Sequence, residues 1–220
     1  MRPEFRGDRA GNTAHVRRLV VLFAFHLVVL TLGVLSMGFQ LLASRLLNPH
    51  FGSSIIVWAW LISTFLAAFS LGSMLGGAIS NAAPAQRARL RTIAAGVGVA
   101  SLAFTAFFGR RALGGIELAF EDMSIGLLVS CLGLFFLPVT ALSTFGPQCV
   151  QYLAARGMPP GQGSGLIYGV STLGNIAGVM LTAFVFIPNF RVSTLLFVWL
   201  GVAVVGLTIL VRFLRASDSS

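Results

Sequence analysis

The sequence contains no lysine and few acidic residues: all 15 basic residues are arginines, and six aspartates and glutamates are spread over 220 residues. Charged residues make up only 10% of the chain, whereas a water-soluble domain typically has about a quarter. The shortage of charge excludes an ordinary water-soluble domain. With 56% hydrophobic residues, the composition indicates that lipid is the surrounding solvent.

Long apolar runs take up most of the chain, and nearly all charges fall in short connections between them. Because a bilayer offers the backbone no hydrogen-bonding partner, each run must form a helix. The runs cover residues 19–43, 54–79, 92–109, 125–148, 164–187 and 193–213. We therefore predict an all-α integral membrane protein with six transmembrane helices over residues 19–213. A basic segment at 1–18 precedes them, and a short tail at 214–220 follows.

The distribution of the arginines predicts that both termini are cytoplasmic. Eleven arginines lie in the N-terminal segment, the second and fourth connections and the C-terminal residues, and four lie in the other connections. The positive-inside rule places the arginine-rich side in the cytoplasm. Because the net charge of +9 follows the connections rather than one patch, we expect anionic lipid headgroups and no nucleic acid as its partner.

Two pairs of segments predict an internal repeat. Residues 38–40 (GFQ) match 146–148 (GPQ), and residues 71–76 (LGSMLG) match 173–178 (LGNIAG). Both pairs relate one unit of three spans to the next, so the second unit would be inverted in the membrane. Many transporters have such a 3+3 repeat, with a site near the midplane between the units. Chance matching of glycine-rich apolar segments is the alternative explanation.

Four polar residues inside the spans are candidates for lining a solute path: His26, Gln40, Gln148 and Asn175. A polar group facing lipid is costly, so these side chains are expected to face the bundle interior or water. The alternative for His26 is a neutral histidine bonded to a neighbouring hydroxyl or carbonyl. The alternative for Asn175 is a hydrogen bond between helices. We find no motif for a metal ion, a nucleophile or a phosphate loop, and we expect no cofactor, no metal and no catalysis.

Small residues and prolines predict how the helices pack. Small residues four apart let helix backbones approach closely, and such pairs are Gly72/Gly76, Ser73/Gly77, Gly165/Gly169 and Gly174/Gly178. In span four, Pro138 and Pro147 predict a kink and freed carbonyls. Such carbonyls bind cations in some transporters and also occur in passive bundles. Cys131 and Cys149, about 27 Å apart along that helix, are expected to be packing residues rather than a disulfide.

Two longer segments carry a resemblance to a known family. One is residues 43–54 (ASRLLNPHFGSS), which continues into the glycines of span two, and the other runs from residue 137 through 166–178 (LIYGVSTLGNIAG). Together they resemble the membrane portion of bacterial membrane-bound spermidine synthase-like proteins, described as a major-facilitator-like half fused to a synthase domain. The positions that carry the resemblance, with an expected structural role, are Arg45, Pro49, Phe51, Gly52, Trp58, Gly72, Gly76, Gly77, Pro138, Pro147, Tyr168, Ser171, Thr172, Gly174, Gly178 and Pro188.

The resemblance implies a multi-pass protein of the bacterial plasma (inner) membrane. The family usually continues into a soluble aminopropyltransferase domain, which we expect this chain to lack. It commonly has Glu at the position of Gln40 and Arg at that of Gln151, so two charges are neutral here. A polyamine path, which the resemblance would otherwise suggest, needs carboxylates that the spans do not supply.

We therefore expect a non-catalytic membrane module that partners a separate soluble synthase-like protein or forms a homodimer. The alternative is a small-solute transporter built from two six-helix copies, with the four polar residues of the spans lining its path.

Overall fold

The computed structural model describes residues 7–216, with side chains from Val20 onward. Over this range the chain is helical, with six helices long and apolar enough to cross a membrane. These helices, named spans one to six, are Val20–Phe51, Ile55–Ser80, Pro84–Ala119, Met123–Ala154, Pro160–Asn189 and Val192–Ala216. The first belongs to a helix that begins at Gly7. The prediction of six helices is confirmed, and residues 1–6 and 217–220 of the predicted terminal segments lie outside the described residues.

The helices extend beyond the apolar runs that predicted them. Span one continues to Phe51, so Arg45 and Pro49 are helical rather than part of a connection. Span three begins at Pro84, because a proline at the first helical position sacrifices no hydrogen bond. Gly52, with a φ of +73°, makes the turn into span two. The connections are therefore shorter than the sequence predicted.

The fourth and fifth spans are interrupted helices. Span four has a π-helical segment at Cys131–Phe136 immediately before Pro138, and a further break at Thr144. Span five has a second π-helical segment at Thr182–Phe186, before Pro188. The predicted irregularity of span four is confirmed, since Pro138 cannot bond to the carbonyl of Leu134. The hydroxyl of Thr105 in span three donates to that carbonyl at 2.7 Å, so the freed oxygen is occupied by a protein group.

Two glycine pairs form the closest crossings of the bundle. A Cβ on Gly72 or Gly76 of span two would collide with the carbonyl of Thr140 or Thr144 of span four. Spans five and one meet in the same way, because Gly174 and Gly178 lie against two span-one carbonyls, at Leu30 and Val34. The predicted role of these two pairs in packing is confirmed.

The other two predicted glycine pairs do not pack within the described chain. A Cβ added to Gly77, Gly165 or Gly169 would enter open space. Their spacing matches the packing motif, but no neighbouring helix approaches these three glycines closely. The packing prediction was therefore wrong for Gly165/Gly169 and for Ser73/Gly77.

Spans one and four each pack on two other spans, one more extensively than the other. Span one packs mainly on span five and then on span six, while span four packs mainly on span two and then on span three. Spans three and six also lie against each other. Trp199 is buried between spans six and one, where its indole nitrogen donates to the carbonyl of Leu35 at 3.2 Å. Cys131 and Cys149 are both free and buried, as predicted for packing residues.

Candidate functional site

A cavity of about 250 Å³ lies where spans one, two, four and five meet. This volume is slightly below the range of about 300–1,000 Å³ that is usual for ligand pockets. Aliphatic and aromatic side chains form part of its wall, and seven lining residues carry hydroxyl or amide groups. Those seven are Ser36, Ser73, Ser143, Tyr168, Ser171, Thr172 and Asn175. The small volume and the mixed lining suit a small molecule that carries polar groups.

The close crossings position this polar wall. The Cα of Gly174 lies 3.1 Å from the place where a Cβ on Gly33 would be, and the next residue along span five is Asn175. On the opposite side, Ser143 of span four lies against Gly72 of span two. Because both crossings depend on glycine, the backbones come close enough to bring polar residues of four helices around one space.

The hydrogen bonds of the wall leave acceptors available. The hydroxyls of Ser36 and Ser143 donate to carbonyls of their own helices, at 2.9 Å to Leu32 and 2.7 Å to Val139. Their oxygen lone pairs can therefore still accept hydrogen bonds. The side-chain oxygen of Asn175 has no hydrogen-bond partner within residues 20–216, but it is buried out of contact with a water-sized molecule, so a solute would reach it only after a small movement of the side chain.

None of the lining residues that the structure describes carries a charge. An ion entering this space would lose its hydration without a countercharge, which is expensive in an apolar bundle. The wall instead presents groups that exchange hydrogen bonds with hydroxyl, amide or carbonyl groups. Its chemistry fits an uncharged polar molecule.

Only one of the four predicted path residues lines this cavity. Asn175 does, whereas the side chain of His26 lies outside it, with Nδ1 2.6 Å from the carbonyl oxygen of Leu22. That contact matches the alternative of a histidine bonded to a neighbouring carbonyl. Gln40 is half-buried and is not part of the cavity wall. Gln148 is fully buried and makes hydrogen bonds elsewhere in the bundle.

Arg91 is the residue that the sequence analysis missed. It was placed in a connection, yet its side chain is only 2% exposed. Its Nε donates to Oε1 of Gln148 at 2.8 Å, and Nη1 donates to the carbonyl of Leu214 at 3.0 Å. The amide nitrogen of Gln148 donates in turn to the carbonyl of Thr144 at 2.9 Å. This network joins spans three, four and six beside the cavity and fixes the break in span four.

The two ends of the bundle carry different charged residues. The arginine end carries Arg89, Arg91 and Arg156. At the Glu117 end, Glu117 Oε2 lies within hydrogen-bond distance of His50 Nδ1, at 2.6 Å. Glu117 belongs to the last turn of span three, so the predicted loop between spans three and four begins later than expected.

The positions that carry the family resemblance fall into four groups. Tyr168, Ser171 and Thr172 line the cavity. Gly72, Gly76, Gly174 and Gly178 form the close crossings, while a Cβ added to Gly77 would meet no neighbour. Pro49, Phe51, Pro138, Pro147 and Pro188 lie at helix ends or interruptions. Arg45, Gly52 and Trp58 line a second cavity at the Glu117 end.

Comparisons with protein-family models, with curated proteins and with solved structures found no match. The fold defines the class as a multi-pass helical membrane protein. The resemblance to the spermidine synthase-like family stays a prediction.

Proposed function

We propose that this protein is a non-catalytic membrane protein that binds a small, uncharged polar solute in the cavity between spans one, two, four and five, and carries it across the bilayer. One observation carries the proposal: seven hydroxyl and amide residues from four helices surround one space with no charged residue in its described wall. Such groups are expensive to face toward lipid unless they serve a path or a bound molecule.

The packing supports the inverted 3+3 repeat. Under such a repeat, span one corresponds to span four and span two to span five. Contacts of span one with five and six would then correspond to contacts of span four with two and three, as they do. The equivalent glycine pairs also meet carbonyls four residues apart, at Leu30 and Val34 in one crossing and Thr140 and Thr144 in the other. A solute site between such repeats is a common transporter arrangement.

Two copies would complete the path. Tyr168 is 54% exposed and Thr172 is also exposed, although both belong to the polar wall. A second copy placed over this face would cover those groups and give a twelve-helix assembly. We place this assembly in the bacterial plasma membrane, with the arginine end and both termini in the cytoplasm.

Uptake into liposomes tests the proposal. The purified protein is reconstituted, and the entry of glycerol, urea, a neutral amino acid and spermidine is compared for the wild type, Asn175→Leu and Asn81→Leu. The last variant makes the same chemical change at an exposed position on the arginine end. We expect wild-type uptake of at least one uncharged solute to fall about tenfold in Asn175→Leu, as for the loss of a buried hydrogen bond. We expect it to be unchanged in Asn81→Leu.

Equal uptake by the wild type and Asn175→Leu, or by wild-type and empty liposomes for every solute, would contradict the proposed function. Spermidine uptake that exceeds that of the uncharged solutes would also contradict it, because the described cavity offers no carboxylate.

The second candidate is a membrane module for a soluble synthase-like partner. It is favoured by the exposed side chains of Arg89, Arg156, Arg212 and Arg215 at one end of the bundle, which suit an acidic protein surface. Two results together would favour this function over transport. One is salt-sensitive co-purification of a soluble synthase-like protein with the wild type, and the other is the absence of solute uptake into liposomes.

A further inference from the structure

A second cavity, of about 300 Å³, lies at the Glu117 end of the bundle. It is formed where the last turns of span one meet the start of span two, with the π-helical part of span five on the third side. Its polar lining residues are Ser44, Arg45, Asn48, Ser53 and Trp58. This cavity is separate from the proposed solute site, and the two share no lining residue.

Arg45 gives this cavity a positive charge. Within the part of the chain that the structure describes, no acidic side chain forms an ion pair with Arg45. The acid of this end that does form a pair, Glu117, is bound to His50. No aspartate or glutamate belongs to the described wall of the cavity. An exposed guanidinium that faces a cavity without a carboxylate is suited to an external anion.

The neutral lining residues can add hydrogen bonds to the same anion. Asn48 and Ser53 carry an amide and a hydroxyl, both of which can donate. The hydroxyl of Ser44 is already used, since it donates to the carbonyl of Leu41 at 2.9 Å. The first turn of span two also borders the cavity through Val57 and Trp58, and its helix dipole adds to the positive potential.

Arg45 lies near the end of a helix that is long and apolar enough to cross the bilayer. Arg45 precedes the end of its helix at Phe51 by six residues, which is about 9 Å of rise. The polar headgroup layer is about 5–7 Å thick on each side of the hydrocarbon. A long arginine side chain can extend the remaining few ångströms toward the headgroups, so this guanidinium can meet lipid phosphates as well as dissolved anions.

We propose that the Arg45 cavity binds an anionic phosphate group through the guanidinium, with Asn48 and Ser53 as additional donors. The same chemistry is offered by the phosphate of a phospholipid and by free phosphate. The site does not depend on the proposed solute transport.

Two binding measurements on the full chain in detergent distinguish these sources. The first is native mass spectrometry of adducts with phosphatidylglycerol and with phosphate-free diacylglycerol. The second is the shift of the apparent Tm on adding inorganic phosphate, with chloride at equal ionic strength. The variants are Arg45→Gln, Asn48→Ala and Arg111→Gln, the last removing the same charge from an exposed position at the same end.

We expect Arg45→Gln to weaken phosphate binding about tenfold or more, as for the loss of a charge-assisted hydrogen bond, and Asn48→Ala about threefold. Arg111→Gln should bind like the wild type. If Arg45→Gln loses the phosphatidylglycerol adducts but keeps the phosphate-induced Tm shift, the result supports a lipid phosphate as the ligand. If it loses the Tm shift but keeps the adducts, the result supports the free ion.

Equal binding by Arg45→Gln and Arg111→Gln in both measurements overturns the proposal. Diacylglycerol adducts that depend on Arg45 as strongly as the phosphatidylglycerol adducts also overturn it. If far-UV circular dichroism shows that Arg45→Gln does not fold, the test rests on Asn48→Ala. Phosphate binding by that variant as strong as that of the wild type then counts against the site.

Discussion

Arg91 lies between spans three, four and six with 2% of its surface exposed. Its guanidinium holds together residues far apart in sequence, since Gln148 is 57 positions away and Leu214 is 123 away. The carbonyl of Leu214 belongs to the last turn of span six that the structure describes, where the helix dipole favours a cation. The hydrogen bond from Arg91 ties this carbonyl to span three and anchors the described end of span six.

Arg91→Gln should destabilise the bundle by about 2–3 kcal/mol, because hydrogen bonds to a charged group are lost from a buried site. The measurement is the free energy of unfolding in mixed micelles with increasing sodium dodecyl sulfate, followed by circular dichroism. Arg89→Gln, at an exposed position of the same helix, should change it by less than about 0.5 kcal/mol. Similar values for the two variants would show that the Arg91 network does not stabilise the fold.

The sequence could not reveal this role of Arg91. It stands at the edge of an apolar run, where an arginine normally belongs to a connection, and its partners are identified only once three helices are packed. Gln148 was singled out for its polarity alone, and its hydrogen bonds direct it to Arg91 rather than to the cavity. Asn175 differs because its helix face, lined by small residues, brings it to the place where four spans meet.

The helices themselves were more predictable than their contacts. Their number follows from the six apolar runs, and the irregularity of span four follows from Pro138. The glycine pairs show how far residue spacing alone predicts helix packing, since pairs with equal spacing have different environments. Gly76 meets the carbonyl of Thr144, whereas the adjacent Gly77 faces open space. Spacing predicts that a face is small, but packing decides whether another helix covers it.

Gly76→Ala should therefore lower the free energy of unfolding by about 1–3 kcal/mol, because the added methyl group collides with a backbone carbonyl that cannot move aside. Gly77→Ala is the matched control. It should leave stability unchanged or raise it by about 0.5–1 kcal/mol, since alanine favours a helix over glycine. The same mixed-micelle titration compares the two, and an equal loss in both would contradict the described crossing of spans two and four.

At the scale of the whole molecule, six helices are long and apolar enough to cross the bilayer, and the proposed repeat would arrange them as two inverted units. The polar cavity lies between spans one, two, four and five, so its wall combines helices from both halves of the chain. The Arg45 cavity depends on the same threading, because it combines the end of span one with the start of span two. A helix of spans one, two or five that lay on the membrane surface would be missing from the walls of both cavities.

Labelling of single introduced cysteines in intact cells with a membrane-impermeant thiol reagent tests this threading most directly. The two native cysteines are buried, so the wild type serves as the unlabelled control. The replaced residues are all exposed, one in or next to each connection: Ser53, Asn81, Glu121, Arg156 and Arg191. The account predicts labelling of the first, third and fifth in intact cells, and of the second and fourth only after permeabilisation. Labelling of two consecutive connections from the same side would contradict it.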